Sequence, residues 1–116
     1  MKENRQSFIS QCRVNYFSKI TPSNKDAMHS ESYLKLVEIA KAYFSNNETD
    51  AFCEYLKDGQ YFIQLWAAHL LIEYGQPSDF WKNKALEVIK FYTDNPLAPE
   101  VAREEKQWVD LNYPLL

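Results

Sequence analysis

The segment from residue 61 to residue 75, YFIQLWAAHLLIEYG, constrains the fold more than any other part of the chain. Helix-forming residues dominate it and polar side chains are few, so it predicts a helix that is apolar on nearly every side. A membrane-spanning helix needs about 20 apolar residues, and this segment is too short and too interrupted for that. We therefore expect a central helix that other helices cover on most of its circumference.

The rest of the chain predicts an all-α fold. Gly59 and Gly75 are its two glycines, and the tight turns that join alternating strands are nearly absent. Apolar residues recur instead at helical spacing in six segments. The expected helices run roughly from Glu3 to Ile20, Ser32 to Phe44, Thr49 to Asp58, Gln60 to Tyr74, Ser78 or Asp79 to the break at Asn95-Pro96, and Pro99 to Asn112.

A weak internal repeat relates the last four helices. Helical hairpins that cannot bury their apolar faces alone stack on their neighbours, and repeats of this size are typical of such stacks. We predict one domain, residues 1–116, folded as a right-handed stack of about six helices, with capping helices in residues 1–47 and two helix pairs in residues 48–112. A shift of about 34 residues superposes Ala51-Phe52 on Ala85-Leu86, Tyr55 on Ile89, Ala68 on Ala102, and Tyr74 on Trp108.

Composition narrows the class of protein. Its 13 basic and 16 acidic residues give a net charge of -3, which disfavours direct nucleic-acid binding because such binders carry a basic surplus. The N-terminus has no apolar signal-peptide core. Cys12 and Cys53 lack the spacing of a zinc site or a disulfide framework. We expect a cytoplasmic protein, with the monomer favoured, that uses no membrane, metal or cofactor.

One stripe of the central helix mixes aromatic and ionisable residues. Phe62, Trp66, His69 and Glu73 follow one another at i, i+4, i+7 and i+11. Such a stripe is typical of a partner-binding surface, where aromatic rings supply contact area and polar groups supply orientation. The alternative is that the two aromatic residues lie in the core, with His69 hydrogen-bonded to Glu73 one turn away.

A second candidate surface is acidic. Asp50, Glu54 and Asp58 recur every four residues on the third helix, and Glu48 precedes them. Spaced carboxylates resemble a phosphate backbone in charge, so this face is suited to the basic groove of a nucleic-acid-processing protein. The alternative is a solvated face, with Glu48 and Asp50 favoured near a helix N-terminus by its dipole.

Signs of catalysis are weak. His29 and His69 are the two histidines of the chain, and neither lies in a catalytic signature. Two isolated glycines cannot form a phosphate-binding loop. His69 and Glu73 could serve a small enzyme or a two-ligand metal site, although two ligands hold a metal weakly. We predict that the protein is not an enzyme.

Residues 61–112 resemble a group of small bacterial HEAT-like proteins. The segments that carry the resemblance are LWAAHLLIEYG, KALEVIKFY and PLAPEVAREEKQWVDL. The matching positions are Ala67, Ala68, His69, Leu71, Ala85, Leu86, Ile89, Ala102 and Trp108. Proteins similar to these include immunity proteins encoded beside the toxins of contact-dependent growth inhibition and related polymorphic toxin systems. The resemblance implies a small cytoplasmic protein that binds its cognate toxin domain and blocks the active site or substrate entry.

The favoured hypothesis is an immunity protein that occludes the basic active site of a nuclease toxin, such as a tRNase. The alternatives are a general HEAT-like scaffold module and a small enzyme that uses His69 and Glu73. The N-terminal third, with Tyr16-Phe17 and the connection from Thr21 to Ser32, lies outside the resemblance and either caps the stack or gives specificity. The predicted partner-binding residues are Glu48, Asp50, Glu54, Asp58, Phe62, Trp66, His69 and Glu73.

Overall fold

A computed structural model describes the backbone of residues 2–116 and the side chains of residues 7–116. Six α-helices and no strand occur in that part of the chain, which confirms the predicted all-α fold. The helices are α1 (Lys2–Phe17), α2 (Glu31–Ser45), α3 (Thr49–Cys53), α4 (Ile63–Tyr74), α5 (Asp79–Thr93) and α6 (Pro99–Asn112). Short 3-10 helices lie at Lys25–Ala27 and Glu54–Lys57, and Gln60–Phe62 forms a single turn with non-helical dihedral angles.

Helix α4 is central, as residues 61–75 predict. Helices α1, α2, α3 and α5 pack around it, and α6 contacts it through the side chains of His69 and Glu105. No helix in residues 2–116 is long and apolar enough to cross a membrane. The neighbouring helices cover the apolar surface of α4. Its buried residues are Ile63, Leu65, Trp66, Ala67, Ala68, His69, Leu70 and Leu71.

The sequence predicts one inward stripe on α2 and another on α5, and every residue of both stripes is buried or half-buried. The predicted residues are Tyr33, Leu36, Val37, Ala40, Tyr43 and Phe44 on α2, and Trp81, Ala85, Val88, Ile89 and Tyr92 on α5. In both helices the buried residues recur at i, i+1, i+4 and i+7, which places them on one face of the helix. The stripe of α2 also joins a cluster of aromatic rings, in which the hydroxyls of Tyr43 and Tyr55 lie 2.7 Å apart. The buried residues of the two stripes are Leu36, Val37, Ala40, Tyr43, Ala85, Leu86, Ile89 and Tyr92.

The prediction for α6 is wrong at its last turn. Its buried stripe consists of Val101, Glu105 and Val109 at i, i+4 and i+8. The sequence predicts that Leu111 faces inward together with Val101 and Trp108, but Leu111 is 68% exposed. Two residues after Val109 correspond to about 200° of rotation around the helix, so Leu111 points away from the core. Val109 takes the inward position of the last turn, and a glutamate, Glu105, takes the inward position one turn earlier.

The junction of α2 and α3 also differs from expectation. The sequence predicts that the side chain of Asn47 or Thr49 caps α3, but Asn47 adopts a left-handed conformation, φ 59°, at the end of α2. Its N–H donates to the carbonyl of Phe44, and the N–H of Glu48 donates to that of Tyr43. These two bonds form a Schellman motif, which satisfies the last carbonyls of α2. Thr49 does not cap α3 either, because the cap position is Glu48.

Gly75 follows the last residue of α4, where the predicted helix ends. The position requires glycine because of close packing, not because of its backbone conformation. Its φ of -92° is open to any residue. A Cβ added there would lie 2.7 Å from the carbonyl oxygen of Leu71 and 3.1 Å from the ring of Phe44. The end of α4 therefore packs too closely against its surroundings for a larger residue.

We expect Gly75→Ala to lower the free energy of unfolding by about 1–3 kcal/mol, because the new methyl group meets backbone as well as side-chain atoms. Urea denaturation followed by circular dichroism measures this change. Gly59→Ala is the matched control, since its Cβ would meet only Gln64 Nε2 at an ordinary 3.5 Å. Its effect should stay within about 0.5 kcal/mol. Equal effects of both substitutions would contradict the steric explanation.

Candidate protein-binding site

The predicted stripe of α4 is not a continuous surface. Trp66 is fully buried and His69 is 4% exposed, so neither offers appreciable area to a partner. Phe62 is half-buried and Glu73 is exposed. The stripe is divided because α4 is enclosed by other helices over its first two turns.

His69 hydrogen-bonds to Glu105 of α6 instead of Glu73. Its Nε2 lies 2.5 Å from Glu105 Oε1 and 3.1 Å from Ser23 Oγ. The ring of Trp108 packs edge-on against the imidazole, with 4.6 Å between centroids. Glu105 and Ser23 were not predicted to contact His69. The available signal was a single glutamate at i+4 from Val101, inside the apolar stripe of α6.

Ser23, His69 and Glu105 are the residue types of a catalytic triad, but they do not have its geometry. In a triad the serine and the carboxylate contact opposite nitrogens of the imidazole. Here both contact Nε2, and all three side chains are buried. We interpret this network as structural, because it ties the connection between α1 and α2 to α4 and α6.

Two further bonds hold the same connection. Thr21 Oγ1 donates to Glu104 Oε1 at 2.6 Å, and the hydroxyl of Tyr33 donates to the carbonyl of Pro22 at 2.8 Å. Burial raises the pKa of the Tyr33 phenol well above its usual value, and nearby acidic groups add to the shift. The connection is thus fixed by side-chain hydrogen bonds although it has little regular structure.

The residues of the enzyme alternative share one small cavity. His69 and Glu73 line a space of about 150 Å³ together with Tyr33 and Trp108. Pockets that bind small molecules usually enclose about 300–1,000 Å³. Over the described residues, no group of three His, Cys, Asp or Glu side chains is placed to hold a metal ion.

The predicted acidic residues are spread over α3 and its two ends. Glu48 precedes α3, Asp50 lies on it, Glu54 begins the 3-10 helix that follows, and Asp58 comes directly after that helix. Asp50 and Glu54 are exposed, whereas Glu48 and Asp58 are half-buried. The expected helix from Thr49 to Asp58 is α-helical only to Cys53 and continues as a 3-10 helix. Residues in a 3-10 helix are about 120° apart instead of 100°, so the carboxylates spread over a wider face than predicted. Glu54 also pairs with Lys57 at 3.5 Å.

A groove of about 580 Å³ lies between this acidic segment and α5. Phe80 and Phe91 are its most exposed aromatic residues, 60% and 64% exposed. They are 11 residues apart on α5 (91 minus 80), or about 16 Å along the helix axis. Its lining residues are Cys53, Leu56, Lys57, Gln64, Phe80, Trp81, Lys84, Glu87, Val88 and Phe91.

The walls of the groove are mainly apolar and its rim is charged. Lys57 and Lys84 stand on the rim, each beside a glutamate of its own helix at 3.5 Å and 3.7 Å. Cys53 lies in the wall, where burial raises the pKa of its thiol to about 11, so the thiol is protonated at neutral pH. This groove was not predicted from the sequence. The one sequence feature that indicates it is the pair of phenylalanines, Phe80 and Phe91, outside the inward stripe of α5.

Comparison with known proteins gives no match to a protein-family model, a curated protein or a solved structure. The resemblance of residues 61–112 to HEAT-like immunity proteins therefore stays a prediction. The features that bear on function are the groove of about 580 Å³ and the acidic residues beside it.

Proposed function

We propose that this chain is a protein-binding domain whose binding site is the groove between α5 and residues 49–58. We further propose that it acts in the cytoplasm as an immunity protein, by occluding the active site of a nuclease toxin such as a tRNase. The observation that carries the proposal is the combination, on one surface, of exposed aromatic residues and acidic residues. Phe80 and Phe91 supply the former, and Asp50 and Glu54 the latter.

The aromatic residues supply the binding energy in this proposal. Full burial of a phenylalanine stabilises a complex by about 1.5–3 kcal/mol, and exposed aromatic residues in a groove are typical anchors. Phe80 and Phe91 flank Trp81 and Val88, which are half-buried in the groove. A partner that inserts an apolar element here would cover all four side chains.

The acidic residues supply steering. A nuclease that holds RNA carries basic groups to bind the phosphates. Asp50 and Glu54 belong to the same short segment as Cys53 and Leu56, which line the groove. A basic active site attracted by these carboxylates would therefore arrive beside the apolar wall, and the association rate would fall with salt.

The test is a pull-down from the native cell with this protein as bait, followed by titration calorimetry with the purified partner domain at two salt concentrations. We expect one-to-one binding near nanomolar affinity that Phe91→Ala weakens about tenfold or more. Glu54→Lys should slow association and reduce the salt dependence. Leu97→Ala is the matched control, since Leu97 is 91% exposed and lies outside the groove.

A growth assay tests the physiological part. Cells that express the toxin should survive with the wild-type protein and with Leu97→Ala, and grow poorly with the Phe91→Ala variant. Tight binding that neither Phe91→Ala nor Glu54→Lys changes would contradict the proposed site. Binding without protection from the toxin would contradict the immunity function and favour the scaffold alternative.

A further inference from the structure

The chain makes a tight turn at Gln60–Ile63 with two aromatic residues in left-handed conformations. Tyr61 has φ 50° and ψ 30°, and Phe62 has φ 57° and ψ 24°. The N–H of Ile63 donates to the carbonyl of Gln60. These values are close to those of a type I′ turn, which strongly prefers Asn and Gly at its central positions. Large aromatic side chains rarely occupy both positions, so their presence here requires a compensating contact.

The compensation comes from the C-terminal end of α1. The ring of Tyr61 lies 5.5 Å from that of Tyr16 and 6.0 Å from that of Phe17, and the ring of Phe62 lies 5.3 Å from Tyr16. We call Tyr16, Phe17, Tyr61 and Phe62 the aromatic cluster. It is only partly covered, since Phe17 is 67% exposed and Tyr16 is 43% exposed.

Arg13 gives the aromatic cluster a positive charge. Its guanidinium carbon lies 6.0 Å from the ring centroid of Phe17 and 5.8 Å from that of Tyr61. No carboxylate of the described side chains forms an ion pair with it. Lys19 is also exposed, just beyond the end of α1. The carboxylate of Asp58, which precedes the turn, is engaged elsewhere, because its Oδ1 accepts a hydrogen bond from the N–H of Gln60.

The chemistry of this surface differs from that of the groove. A guanidinium held beside ring faces presents a planar fork of N–H donors that suits a carboxylate. The exposed rings of the cluster suit an apolar side chain, and an open space of about 420 Å³ lies beside Tyr16 and residues 59–62. A nucleic acid is disfavoured, because binding its backbone takes several clustered cations, whereas the cations described at this surface are Arg13 and Lys19.

We propose that the aromatic cluster and Arg13 form a second docking surface, which binds an acidic peptide segment carrying an aromatic side chain. Arg13 pairs with a carboxylate of the segment, and Phe17 and Tyr61 cover its apolar side chain. This inference does not rest on the proposed toxin binding, since the toxin surface expected at the groove is basic.

The test is fluorescence anisotropy with a short fluorescein-labelled peptide of glutamates around one phenylalanine. We expect saturable binding with a Kd between about 1 μM and 1 mM. A matched peptide with lysines in place of the glutamates should bind at least about tenfold more weakly. Failure of the acidic peptide to saturate below about 1 mM, or tighter binding of an oligouridine probe, overturns the proposal.

Surface variants locate the site. Arg13→Gln and Phe17→Ala should each weaken binding of the acidic peptide about tenfold. Both residues are exposed, and circular dichroism checks that the variants keep the fold. The matched control is Phe91→Ala in the groove, which should change the Kd by less than about twofold. Equal weakening by Phe91→Ala would overturn the assignment to the aromatic cluster, whereas the toxin assay reports on the groove separately.

Discussion

Replacing His69 by alanine is expected to lower the free energy of unfolding by about 3–5 kcal/mol. Glu105 is fully buried, and its Oε1 lies 2.5 Å from His69 Nε2. Its other oxygen has no hydrogen-bond partner among the described residues. The alanine variant would leave a buried carboxyl group without its imidazole partner. This loss is large, because the whole free energy of unfolding of a domain of this size is only about 5–15 kcal/mol. Urea denaturation measured by tryptophan fluorescence gives the value.

Two further variants separate hydrogen bonding from packing. Glu105→Gln keeps the shape and an acceptor for the imidazole and replaces one carboxyl oxygen by an amide nitrogen, so we expect a smaller loss of about 1–2 kcal/mol. The double variant His69→Leu/Glu105→Leu removes both polar groups and should recover most of the stability lost in His69→Ala. A loss below about 1 kcal/mol in His69→Ala would show that the pair contributes little.

The same variants bear on the enzyme alternative. Any activity lost in His69→Ala is open to explanation by unfolding, so a variant that stays folded is needed. If the folded double variant retains full function, an enzyme centred on His69 and Glu73 is contradicted. Glu73→Gln is a suitable companion, since Glu73 is exposed and its change should not affect the fold.

Helix existence and most inward stripes were predictable from the sequence because both depend on the helical period. Residues 61–75 predict a central helix, and α4 is one. The turn at Tyr61-Phe62 was not predictable, because neither residue favours the left-handed conformation. It depends on ring contacts with α1, which are distant in sequence. The shift of α3 to a 3-10 helix after Cys53 had no sequence signal either.

The candidate site was predictable only in part. Exposure of Asp50 and Glu54 agrees with the acidic pattern, since charged residues seldom lie unpaired in a core. The stripe of α4 misled because a helix that is apolar on all sides has no polar face to mark the solvent side. Phe80 and Phe91 could be placed on α5 from the sequence, but their exposure depends on how α5 packs against residues 49–58.

Trp66→Ala is expected to cost about 3–5 kcal/mol, because it removes a large, fully buried side chain from the central helix. The indole packs edge-on against Tyr33, with 5.0 Å between ring centroids, and the small alanine would leave a cavity there. Thermal and urea denaturation measure the loss. We expect the variant to be partly unfolded at 37 °C if the wild-type stability lies near the lower end of the usual range.

Trp66→Phe is the matched control. It keeps most of the apolar volume and removes the indole N–H, which has no hydrogen-bond partner among the described residues. The lost apolar volume destabilises the variant, whereas removal of an unpaired buried N–H stabilises it. We therefore expect a net loss of about 1–2 kcal/mol in the free energy of unfolding. Because Trp66 is covered, partner binding by the folded Trp66→Phe variant should equal that of the wild type. A folded variant with wild-type stability but impaired binding would indicate that Trp66 contacts the partner, as the sequence pattern of α4 predicts.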